Sequence, residues 1–81
     1  MTGYKLIRLA PGSYDVVLNG LIIASLVKSE TPSRVGTWTV ELLQDVPPEQ
    51  RPAPFTELEH QFSTREEALA WLGHPVIQGE G

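Results

Sequence analysis

Glu57, Glu59 and His60 come closest in this sequence to a metal-binding or acid–base cluster, and His74 is the only other imidazole. On a strand, successive side chains leave opposite sides, so Glu57 and Glu59 point one way and His60 the other. A divalent metal needs three or four convergent ligands, which this spacing does not supply. Thiolate ligands and thiolate nucleophiles are ruled out because cysteine is absent. Serines and threonines occur, but no motif sets a histidine beside one of them, and Ser63 is better placed as a helix cap. Gly12, Gly20, Gly36 and Gly73 are isolated and build no phosphate-cradling loop. Glu66 and Glu67 are adjacent on a helix start, where neighbours do not face one another. The expectation is a protein that is not an enzyme, with no catalytic residue, cofactor or metal.

Binding chemistry leaves two candidate surfaces. One is basic: Lys5, Arg8, Lys28 and Arg34 could contact phosphates if the fold gathers them. With Asp15 and Glu30 they give residues 1–36 a balance of +2. Residues 37–81 set Arg51 and Arg65 against Glu41, Asp45, Glu49, Glu57, Glu59, Glu66, Glu67 and Glu80, a balance of −6. The net charge of −4 argues against bulk electrostatic capture of nucleic acid. The second surface is apolar: Val17 and Ile22 fall on the side of a hairpin opposite its core side and are candidates for protein contact. Trp38 and Trp71 read as core partners, one from the sheet and one from the helix.

These residues need elements to hold them. An 81-residue chain allows one domain and one core, and a core of that size is marginal without staples. With no disulfide available, self-association becomes a reasonable support, and a homodimer is one expected state. Residues 14–27 contain Asn19-Gly20 between aliphatic runs, the signature of a two-residue hairpin turn with both central residues at positive φ. That turn predicts Leu18 opposite Leu21, Val17 opposite Ile22, Val16 opposite Ile23 and Tyr14 opposite Ser25. Tyr14, Val16, Leu18, Leu21 and Ile23 then share the core face, with Val17, Ile22, Asp15 and Ala24 on the other. Lys5 and Arg8 ahead of this run superficially suggest a secretion signal. The Asn-Gly interruption and the flanking Asp15 favour the hairpin, and a cytoplasmic location with no membrane contact is expected.

Before the hairpin, residues 4–9 form a strand closed by a Pro11-Gly12 turn. After it, residues 29–36 form a loop, and residues 37–42 alternate with Trp38, Val40 and Leu42 inward. Prolines at 47, 48, 52 and 54 exclude helix and central strand from residues 44–56, with Phe55 anchoring the far end in the core. Residues 57–62 can add an edge strand. Ser63-Thr-Arg-Glu66 fits a capping box, so a helix is expected over residues 64–72, ended by a left-handed Gly73 and Pro75. The domain is expected to span residues 1–73, with 74–81 as a flexible tail.

The order of sheet then helix, with the pattern from Phe62 to Trp71, resembles small DNA-binding modules of the integrase amino-terminal and AP2 kind, whose sheet enters the major groove. That resemblance implies a nucleic-acid-binding role for Lys5, Arg8, Lys28 and Arg34. The outward Thr37, Thr39 and Glu41 depart from the basic sheet face those families carry. The Leu-Asn-Gly hairpin, the Trp38-x-Val-x-Leu42 strand, the Pro-Ala-Pro-Phe55 segment and the Glu-Ala-Leu-Ala-Trp71 helix together also resemble small bacterial domains of unknown function. That likeness transfers no activity. The fold expected is α+β, an antiparallel sheet of three to five strands with one C-terminal helix on one face. The function expected is a small interaction or regulatory protein acting through protein–protein contact.

Overall fold

The computed structural model describes residues 3–29 and 36–79. Alternating apolar residues make Tyr4–Ala10 (β1), Ser13–Leu18 (β2), Leu21–Lys28 (β3) and Trp38–Leu42 (β4) strands with one buried side each. Glu59–Phe62 (β5), Arg65–Trp71 (α1) and Val76–Gln78 (β6) follow. The strands form one six-stranded sheet in the order β5-β4-β3-β2-β1-β6. The first five are successively antiparallel, whereas β6 lies parallel to β1, pairing Lys5 with Val76 and Ile7 with Gln78. The sheet is therefore larger than the three to five strands expected, and it is mixed. Residues 76–78, expected in a flexible tail, form its second edge.

That correction has a topological cause. β5 and β6 lie at opposite edges and run parallel, so α1 and its flanking residues cross the whole sheet. Five inter-strand spacings make this span about 24 Å. A two-turn helix covers only about 10 Å of it, and the extended residues on either side supply the rest.

The Asn19-Gly20 turn forms as expected, with φ of 53° and 80°, and keeps Leu18 opposite Leu21 and Val17 opposite Ile22. The register then shifts. Val16 faces Ala24 and Tyr14 faces Leu26, which leaves Ile23 as an extra residue in β3. Such a bulge reverses the alternation of everything after it. Ala24 and Leu26, not Leu21 and Ile23, thus take the fully buried positions, and Leu21 is 68% exposed.

The core lies on the α1 side of the sheet. Tyr4, Leu6, Tyr14, Val16, Ala24, Leu26, Val40 and Leu42 contribute from the strands, and Phe55, Ala68 and Leu72 close over them. Val40 and Leu42 point inward as the alternation predicted. Phe55, 5% exposed, anchors the proline-rich segment as expected. Tyr4 donates its hydroxyl hydrogen to the Ala53 carbonyl at 2.7 Å. Arg51 donates from Nε to the Val46 carbonyl at 2.9 Å and from a terminal nitrogen to the Thr56 carbonyl at 2.8 Å. These bonds satisfy carbonyls that proline-rich backbone cannot pair within a sheet.

The helix cap stands one residue later than the capping box predicted. The Thr64 hydroxyl, not that of Ser63, accepts from the Glu67 amide at 3.1 Å, and the Glu67 carboxylate accepts from the Ser63 amide at 2.9 Å. At the other end Gly73 has φ of 86°, and the Gly73 and His74 amides donate to the Ala70 and Leu69 carbonyls. This is the paired bonding that a left-handed residue after the helix permits. Trp71 packs on Phe55, His60 and Phe62 and Trp38 packs on Tyr14, and both lie against the one core, Trp38 from the sheet and Trp71 from the helix.

Candidate functional site

The side of the sheet away from α1 carries Lys5, Ile7, Asp15, Val17, Ile22, Ser25, Thr39, Glu41, Glu59 and Gln61, by strand register. Val17 is flanked by Lys5 on β1 and Ile22 on β3 and is only 6% exposed. Of the two residues expected to make protein contact, Val17 thus offers little open surface, and Ile22 is 50% exposed.

Ile22 belongs to a different feature, one created by the bulge. The start of β3 bends, and the Ile23 carbonyl accepts from the Leu43 amide at 3.0 Å, just beyond the end of β4. The proline-rich segment then returns past this corner. Between them lies a groove of about 420 Å³ lined by Leu21, Ile22, Ile23, Leu42, Leu43, Gln44, Val46, Gln50 and Pro52. Its lining is aliphatic apart from the Gln44 and Gln50 amides. Leu21, Ile22 and Leu43 are among the large apolar residues most exposed to water. Among the described residues, no acid, base or nucleophile lines it, so the chemistry available is apolar contact and hydrogen bonding from two amides.

The sequence reading located Ile22 and missed the rest. Leu21, expected on the core face, is exposed, whereas Ile23 packs against the core partly buried and also lines the groove. Leu43 did leave a trace, since a second leucine directly after inward Leu42 must leave the core side. The contributions of Val46, Gln50 and Pro52 depend on how residues 44–58 fold back.

Among the described residues, Lys5, Arg8 and Lys28 do not all lie on one face. Lys5 lies on the side away from α1, and Arg8, opposite Tyr14, lies on the other. Lys28, at the end of β3 opposite Trp38, shares the α1 side with Arg8 by register. Arg34 falls outside the described residues.

His60 is occupied structurally. Its Nε2 accepts from the Thr56 and Glu57 amides at 3.3 and 3.1 Å, and its ring lies 4.5 Å from that of Trp71. Among the described residues, no group of three or more His, Cys, Asp or Glu side chains is arranged to hold a metal ion. No helix among them is long and apolar enough to cross a membrane. Burial pushes the Tyr4 hydroxyl up to about 12 from its ordinary 10.0.

Comparison with protein-family models, with curated proteins and with solved structures returns no match to this chain.

Proposed function

We propose that this protein is a small interaction or regulatory protein that binds a protein partner through the groove between the start of β3, the end of β4 and the proline-rich segment. One observation carries the reading: Leu21, Ile22 and Leu43, all exposed, converge on a single concavity instead of being scattered. Isolated exposed aliphatics need no explanation, but contiguous ones beside a concave wall mark contact sites. The wall is also held in place. Arg51 braces Val46 and Thr56, and Tyr4 braces Ala53, so a partner meets a preformed surface and little ordering entropy opposes binding.

The short sheet edges favour the groove over strand addition. β6 has 3 residues and β5 has 4. The β5 edge also carries the exposed Glu59, a charge beside which an added strand would have to lie.

Site-specific photo-crosslinking in cells tests this reading. A photoreactive residue at Leu43 or Ile22 should give a discrete protein adduct that the same residue at Glu66, on the helix surface, does not. Equal adducts at all three positions, or none at Leu43 and Ile22, would overturn it.

A further inference from the structure

The charges around the groove go further and indicate what kind of segment it takes, an inference that rests on the protein-contact reading above. Asp45 lies between the lining residues Gln44 and Val46, and Glu49 directly precedes the lining residue Gln50; both are exposed. Glu41, two positions before Leu43 on β4, faces Glu59 on β5, and both of these are exposed as well. Two cations lie nearby, and both are half-buried. The Arg51 guanidinium is turned inward onto the Val46 and Thr56 carbonyls, and Lys5 stands two strands from Ile22. An aliphatic groove is therefore bordered mainly by outward carboxylates.

We infer that the occupant is a peptide segment of a partner protein in which bulky aliphatic side chains are bordered by Lys or Arg. The aliphatic side chains fill the concavity beside Leu21, Ile22 and Leu43. The flanking cations meet Asp45 and Glu49 on one side and Glu41 on the other. Opposite charges at the rim of an apolar contact steer encounter and reject acidic competitors.

A second copy of this chain fits poorly on two counts. A two-fold dimer built on this patch would bring its acidic rim against the same rim of the other copy. A stable dimer also needs about 800 Å² from each partner, which calls for a broad matching face rather than a corner groove.

The test is selection of a phage-displayed library of random 12-residue peptides on the full chain, followed by fluorescence anisotropy of the enriched peptides. The variants are Ile22→Ser with Leu43→Ser for the groove, and Asp45→Asn with Glu49→Gln for the rim. All four residues are exposed, and circular dichroism confirms that the variants fold. The expected result is enrichment of aliphatic residues flanked by Lys or Arg. Binding should weaken about 10-fold in the groove variant. It should weaken about 3-fold in the rim variant, with a shallower salt dependence. Enriched peptides without basic residues that still lose affinity in the groove variant would overturn the charge inference and leave the groove reading standing. Basic peptides indifferent to the groove variant, or no enrichment over that variant, would overturn both.

Discussion

The Tyr4 hydroxyl and the Ala53 carbonyl, 49 residues apart in the chain, meet at 2.7 Å and tie the first strand of the sheet to the proline-rich segment. The ring of Tyr4 lies 6.2 Å from that of Phe55, so the same side chain packs against the segment and hydrogen-bonds to it. Residues 51–55 thus act as part of the core's cover, and the groove wall at Pro52 depends on this anchorage.

Tyr4→Phe keeps the packing and removes the donor, leaving the Ala53 carbonyl without it. The expected cost is about 1–2 kcal/mol in a denaturant melt at neutral pH. Tyr4 also sets an alkaline limit. Its hydroxyl titrates higher in the folded chain than in the unfolded one, so above pH 10 the unfolded state sheds this proton first. Stability from this group is intact below pH 10 and falls as pH rises toward 12, by about 2–3 kcal/mol at most. Melts at pH 8 and pH 11 should show this loss in the native chain and a smaller one in Tyr4→Phe. Equal losses in both would remove Tyr4 as the cause.

The helix start offers a sharper discrimination. Thr64→Ala should cost about 1 kcal/mol, because the Glu67 amide loses its acceptor. Ser63→Ala should stay within about 0.5 kcal/mol, since Ser63 contributes its backbone amide rather than its hydroxyl to the cap. Thermal melts of the two variants that reversed this order would place the cap at Ser63.

Deleting residues 74–81 removes β6 and exposes the outer edge of β1. Ile77 packs against the core cluster, so even Ile77→Ala alone should cost about 1–2 kcal/mol. The deletion should cost more and should abolish amide-exchange protection along the β1 edge. An unchanged midpoint in both variants would return this segment to the role of a loose tail.

Much of the fold was legible in short stretches of sequence. The Asn19-Gly20 turn, the inward set of Val40 and Leu42, the Phe55 anchor and the Gly73 helix end each depend on neighbours a few residues away, and each formed. The capping box was legible to within one residue; Thr64 and Ser63 can both supply the hydroxyl, and the bonds formed decide between them.

The features that make the candidate site were not legible. A perfectly alternating hairpin and a bulged one have the same local pattern until the strand's partners choose between them. Here the pairing of Ala24 with Leu42 and of Leu26 with Val40 fits small Ala24 and bulky Leu26 into the fully buried layer and leaves Ile23 as the extra residue. Likewise Val76-Ile77-Gln78 is too short to announce itself as a strand, and only the exposed edge of β1 gives its backbone a partner. Local sequence thus determined the turns, the caps and most of the inward faces, because those depend on backbone conformation and alternation within a few residues. The bulge, the sixth strand, the separation of Lys5 from Arg8 and the groove at Ile22 and Leu43 were decided by tertiary pairing, because packing energy is shared among segments distant in the chain.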